Sequence, residues 1–270
     1  MIPKIIHYCW FGNQPLPESA QKCITSWKKH MPDYEIKEWN EDNFDVNMTA
    51  YTKEAYEAQK YAFVSDLARF WVLYHHGGIY FDVDVEMIRP IDDILAKGAF
   101  MGCEHTLEKD PSVRVAPGLG IASDSKDEII KEIVDSYQSR HFIQEDSSFD
   151  FTTVIIPITN ILKKHGLSDT SQGIQKVGNI YIYPQDYFCP MNYQTGTITI
   201  TDNTRTIHHY ISTWLTEENI YEKAILRKFT FLPNPIALRL AKYISLIRYH
   251  GIKESLLHLK NKISKRLGLK

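Results

Sequence analysis

Two carboxylates, Asp82 and Asp84, stand one residue apart in the stretch Gly77-Gly78-Ile79-Tyr80-Phe81-Asp82-Val83-Asp84-Val85. Its β-branched and aromatic composition is that of a buried strand. In an extended strand residues i and i+2 project to one face, so the two acids point the same way while Val83 and Val85 pack on the other. Left unneutralised, such a pair repels and loses hydration. A divalent cation removes both costs. Mg2+ and Mn2+ take oxygen ligands and are commonly held by one or two protein carboxylates, with phosphate oxygens completing the shell. A strand end whose aspartates cap nearby amides is the plainer alternative, but one cap does not need two acids. An EF-hand loop fails on spacing, because Met87 occupies the place of its glycine and Val83 and Val85 intervene between ligands. A phosphatase-like aspartate strand puts a small hydroxyl residue two positions after the second acid, where this chain has Glu86. No HExxH, Walker A or GxSxG pattern occurs, which leaves zinc-protease, P-loop and hydrolase chemistry without support.

A second pair, Asp66 and Arg69, lies in YAFVSDLARFWVLYHH, Tyr61 to His76. On a helical projection Phe63, Leu67, Phe70, Trp71 and Tyr74 share one face, Val64, Ala68 and Val72 cover most of the rest, and Gly77-Gly78 supplies the stop. Three residues apart, Asp66 and Arg69 occupy one narrow stripe. An internal ion pair satisfies that spacing, but a buried helix leading straight into the two aspartates favours a functional reading. Upstream, Lys4 to Trp10 reads as a buried strand, Glu18 to His30 as a helix ending before Pro32, and Tyr34 to Trp39 as a second strand. That order predicts a right-handed crossover and a mainly parallel sheet flanked by helices, an α/β fold. Downstream, Lys126 to Arg140 and Thr152 to His165 are expected as helices, and Thr197 to Thr201 and Thr206 to Tyr210 as late strands.

A chain of 270 residues can bury one sizeable core. The four cysteines, Cys9, Cys23, Cys103 and Cys189, form no CxxC pair, which argues against a zinc knuckle or a disulfide framework and fits a reducing compartment. The N-terminal apolar run is too short for a signal peptide, and no segment approaches the roughly 20 apolar residues needed to span a bilayer. Charge is uneven. Residues 236–270 hold nine basic residues and one acid, a net +8 on a chain whose total is -2, so the preceding residues carry -10. Leu232-Pro233-Asn234-Pro235 marks the expected boundary between a catalytic domain, 1–235, and a basic amphipathic helical extension, 236–270. In that extension Ile236, Leu240, Ile244 and Ile247 recur at helical spacing, as do Ile252, Leu256, Leu259 and Ile263. Such a helix suits an anionic membrane surface, or packing on the body or a partner. Nucleic acid is not expected as a partner, since the body is acidic and no basic module with stacking aromatics is visible.

The ordered set IPKIIHYCWFG, SDLARFWVLYHH, GGIYFDVDV and IHHYISTWL resembles glycosyltransferase family 32, which includes capsular-polysaccharide enzymes and fungal mannosyltransferases and is distantly related to clostridial glucosylating toxin domains. The resemblance implies a GT-A fold and a metal-dependent, retaining transfer from a nucleotide sugar, preferably a UDP-sugar with Mn2+ or Mg2+, to a saccharide or lipid-linked glycan. It implies that Trp10 stacks on the nucleotide base, Asn40 contacts the nucleoside, Asp66 and Arg69 bind donor sugar and phosphates, and Asp82 touches ribose and sugar beside Tyr80. It also makes Asp84 a direct metal ligand, with Ser212 and Trp214 closing over the diphosphate. Neighbouring strand residues face opposite sides, so only one of His208 and His209 can join Asp84. The implied choice is His209, five residues before Trp214. The expected location is cytoplasmic, peripheral on the inner face of the membrane.

Overall fold

The computed structural model describes residues 1–105, 112–169, 173–193, 195–211, 217–229 and 231–267. The chain divides into two compact units: residues 1–191 with 198–211, and residues 192–197 with 212–270. The boundary expected near residue 235 falls inside the second unit.

The first unit begins as the sequence predicts: β1 (Ile5–Cys9), α1 (Glu18–His30), β2 (Glu35–Trp39), α2 (Ala50–Glu57), α3 (Tyr61–His76) and β3 (Gly78–Tyr80). There follow β4 (Val85–Met87), α4 (Asp92–Leu95), β5 (Phe100–Gly102), a 3-10 turn over Pro117–Leu119, β6 (Ile121–Ser123), α5 (Glu128–Ser136), α6 (Ile155–Lys164), β7 (Gln175–Val177), β8 (Ile180–Tyr183), α7 (Gln185–Phe188) and β9 (Thr206–His208). Seven strands form a sheet in the order β2-β1-β3-β6-β5-β8-β7. Five run one way, while β6 and β7 oppose them. The class is α/β as expected. The predicted strand Thr197 to Thr201 is not one; Ile198 makes only an isolated bridge to Met191.

Side-chain alternation divides the core across the sheet. Ile6 and Tyr8 of β1, Ile79 of β3 and Phe100 of β5 pack on one side with Trp27 of α1. Cys9, Tyr80 and Met101 pack on the other with α3 and α5. The α3 helix is apolar nearly all round because it is buried on most of its faces, and it stops at Gly77, whose φ of 65° and lack of a Cβ let the chain pass Ser125 and Pro3.

The second unit holds α8 (Glu217–Lys228) and α9 (Asn234–Leu267), with non-helical backbone at Gly251 inside α9. Ser245 donates a hydrogen bond to the Glu218 carbonyl, and Arg248 lies over the Tyr221 ring at 4.3 Å.

Candidate active site

The strands β1, β2 and β3 run parallel, and Trp10, Asn40 and Asp82 follow their C-terminal ends, where open α/β sheets bind ligands. Asp82 and Asp84 are not on a continuous strand. The chain leaves β3 after Tyr80, and the Val85 amide donates to the Asp82 carbonyl at 3.1 Å, closing a turn before β4 begins. Two contacts hold that turn: the Asp82 amide donates to the Gly118 carbonyl at 3.0 Å, and the buried Trp27 indole donates to the Val85 carbonyl at 2.7 Å. The aspartates still converge, because the turn curls both carboxylates toward one point.

Arg69 links the helix to the turn. Its guanidinium meets Asp66 Oδ1 at 3.0 Å and Asp82 Oδ1 at 3.4 Å, and lies over the Tyr80 ring at 5.0 Å. The Tyr80 hydroxyl donates to the same Asp82 oxygen at 2.9 Å. Burial opposes the Arg69 charge, but Asp82, Tyr80 and Asp66 outweigh it and hold the guanidinium firmly protonated. Burial pushes the Asp66 carboxyl up to about 7, against the pull of Arg69. The Tyr80 phenol is raised well above its ordinary value by burial and then by the Asp82 charge.

The second ligand cluster comes from the β4–β9 ribbon. Antiparallel pairing sets His208 opposite Val85, next to Asp84, and the His208 Nε2 to Asp84 Oδ1 distance is 3.0 Å. The expected histidine, His209, is turned away: its Nε2 pairs with Glu86 at 2.8 Å, while its backbone amide donates to the Asp84 carbonyl. The correction follows from strand geometry, since the register that puts His208 on the Asp84 side puts its neighbour on the other. Burial raises the Asp84 carboxyl, yet His208 and the Ile211 amide, 2.8 Å from Oδ2, bring it below the usual range. His208 is pulled the opposite way: burial lowers it, and the Asp84 charge raises it overall.

One ligand atom each from Asp82, Asp84 and His208 lies within 4.8 Å of the others. Two carboxylate oxygens and an imidazole nitrogen make a mixed oxygen and nitrogen donor set that could hold a divalent cation. His208 turns its Nε2 to Asp84, and its Nδ1 is buried without a hydrogen-bond partner among the described residues.

Trp10 sits half-buried just past β1, its indole N–H donated to the Gln14 carbonyl at 2.6 Å. Asn40 follows β2, but its amide belongs to the local turn, donating to Glu38 and accepting from the Asp42 amide. Ser212 and Trp214 lie outside the described residues. Gly118 is an additional site residue that motif spacing did not single out. A Cβ there would fall on Asp82 Oδ2 and come within 3.3 Å of Arg69 Nη1, so only glycine lets the 3-10 turn close over the acid. The signal was present as the Pro117-Gly118-Leu119-Gly120 run.

The family model described as a glycosyltransferase sugar-binding region containing a DXD motif matches residues 17–101, which hold α1, the Asp66–Arg69 helix and both turn aspartates. This region is similar to the DXD-containing sugar-binding regions of glycosyltransferases. The chain is 29% identical over 111 residues to inositol phosphoceramide mannosyltransferase 1 of Schizosaccharomyces pombe, covering 37% of this chain and 33% of the relative. It is 34% identical over 106 residues to an uncharacterized glycosyltransferase of Acanthamoeba polyphaga mimivirus, covering 37% of this chain and 42% of that one. The chain thus spans a third of the length of the first of these relatives and under half of the second. Among solved structures, PaToxG glycosyltransferase aligns with a TM-score of 0.45 and 21% identity, over 60% of this chain and 69% of that one.

Proposed function

We propose that the protein is a glycosyltransferase that transfers a sugar, with retention, from a nucleotide-sugar donor held at Asp82, Asp84 and His208 through a divalent cation. The observation that carries this is the gathering of those three ligand atoms within 4.8 Å, beside a buried Asp66–Arg69 pair. A bound Mn2+ or Mg2+ supplies Lewis acidity to the departing diphosphate. Arg69 adds fixed positive charge in a buried setting where it is weakly screened. Asp66 has an oxygen beyond its Arg69 contact with which to accept a donor-sugar hydroxyl. The half-buried Trp10 ring stacks on the base. No carboxylate is assigned as nucleophile, so retention arises by front-face attack, the leaving phosphate taking the acceptor proton.

A UDP-sugar is the favoured donor. The fission-yeast relative is named for mannosyl transfer onto inositol phosphoceramide, which makes GDP-mannose the second donor to test. The proposed acceptor is a saccharide or lipid-linked glycan in cell-surface polysaccharide synthesis, reached from the cytoplasmic face of a membrane. Calorimetric titration with UDP, UDP-sugars and GDP-mannose, in Mn2+ and again in EDTA, tests the reading. Binding of one nucleotide family that EDTA abolishes supports it; binding indifferent to EDTA, or none, removes its basis. Product analysis with and without acceptor separates transfer from nucleotide-sugar hydrolysis.

A further inference from the structure

The second unit shows an arrangement that helical spacing alone left open. In α9 the small residues Ala237, Ala241 and Ser245 are buried, and Ser245 donates to the Glu218 carbonyl of α8. Their i, i+4, i+8 spacing is one stripe of the helix. The large apolar residues predicted to pack are on a different stripe. Ile236, Leu240 and Ile247 stand at i, i+4 and i+11 and are 47%, 39% and 45% exposed. Arg239 and Lys242 are exposed on the same stretch, and Arg248 is spread over Tyr221. The small stripe of α9 is therefore the buried one, and the large one is exposed.

We propose that this stripe of α9 docks on an anionic lipid bilayer, lying in the plane of its interface. Charge decides between occupants. The same segment and its continuation carry the net +8 of residues 236–270, which opposes self-association of two such faces and matches a surface of negative headgroups. None of the helices among the described residues is long and apolar enough to cross a membrane, so the contact is one of lying on rather than spanning. Burying three aliphatic side chains to interfacial depth while Arg239 and Lys242 stay at headgroup level is the geometry of an in-plane amphipathic helix. The proposal stands independently of the donor chemistry.

The test is co-sedimentation of the full chain with phosphatidylcholine vesicles and with phosphatidylcholine–phosphatidylglycerol vesicles. Expected is strong binding to the anionic vesicles only, weakened by salt. The triple variant Ile236→Ser, Leu240→Ser, Ile247→Ser should lower that binding on the order of tenfold or more, with its circular dichroism and UDP titration unchanged. The charge reversals Arg239→Glu and Lys242→Glu give a second variant should the serines disturb the helix, and should lower binding while removing much of its salt dependence. Binding undiminished in folded variants overturns the proposal. So does a wild-type chain that ignores both vesicles, and so does a light-scattering dimer that the serine variant makes monomeric.

Discussion

His7 offers a quantitative test of the sheet that carries the site. It is fully buried in β1; its Nε2–H donates to the Gly77 carbonyl at 2.9 Å, and its Nδ1 accepts the Trp39 indole N–H at 3.1 Å. Both ring nitrogens are thus committed to one neutral tautomer, and a second proton would have to displace Trp39. Burial lowers the pKa from 6.5 to about 4, the Gly77 bond opposing and the charges of His76 and Lys37 assisting. A base with a depressed folded pKa binds fewer protons folded than unfolded. Its contribution is complete above pH 6.5 and is lost as pH falls from there toward 4. The shift of about 2.5 units corresponds to roughly 3 kcal/mol, at about 1.4 kcal/mol per pH unit inside that window. Urea unfolding of wild type and His7→Gln at pH 7.5, 6, 5 and 4.5 measures it, because the other titrating groups cancel in the difference. Wild type should be more stable at pH 7.5, and its advantage should shrink by roughly 2–3 kcal/mol by pH 4.5. An advantage constant with pH would show that His7 does not titrate as its two bonds require.

Gly118→Ala pushes a methyl against Asp82 and should cost about 1–3 kcal/mol of stability and on the order of a hundredfold in turnover, since a displacement near 1 Å at a positioned group has that effect; melting temperature and steady-state rates check both. His208→Ala should weaken Mn2+-dependent UDP binding by roughly tenfold or more, whereas His209→Ala should leave it nearly unchanged, and titration calorimetry on both decides which histidine faces the cation. Trp27→Phe leaves the Val85 carbonyl without its donor and opens space under the turn, for an expected loss of about 2–4 kcal/mol in urea unfolding. Arg69→Lys keeps the charge but cannot span Asp66 and Asp82 as a planar fork does; donor binding should fall by roughly tenfold or more, and unaltered binding would show that the bridge is dispensable.

The elements around the site were legible because each has a local signature. The α1 and α3 bounds coincide with expectation at both ends, α1 stopping short of Pro32 and α3 stopping at Gly77. The aspartates were legible as a pair but not as a turn. Composition over Ile79 to Val85 is that of a strand throughout, and the break depends on the Gly118 carbonyl and the Trp27 indole, which come from distant segments. That His208 and not the expected His209 lies against Asp84 was hidden for a related reason. Alternation says that the two diverge; only the register of β9 on β4, Val85 opposite His208, says which one meets Asp84. In the second unit the spacing of apolar residues was visible and the buried face was not, because α9 buries Ala237, Ala241 and Ser245, which a search for large side chains passes over.

The two aspartates, identical in sequence terms, are set in opposite electrostatic surroundings. Asp82 already receives Arg69 and the Tyr80 hydroxyl on Oδ1, so much of its charge is answered by groups that belong to the fold. Asp84 is answered by His208 on Oδ1 and by one backbone amide on Oδ2. Dislodging Arg69 from Asp82 would leave a guanidinium 4% exposed and part-compensated by Asp66 alone. Under the proposed function, Asp84 and His208 would therefore hold a divalent cation at the loss of only their mutual contact, with Asp82 beside them, and the cation would supply Lewis acidity to a leaving phosphate. Arg69 would stay paired with Asp66 and Asp82, its fixed charge set beside that phosphate.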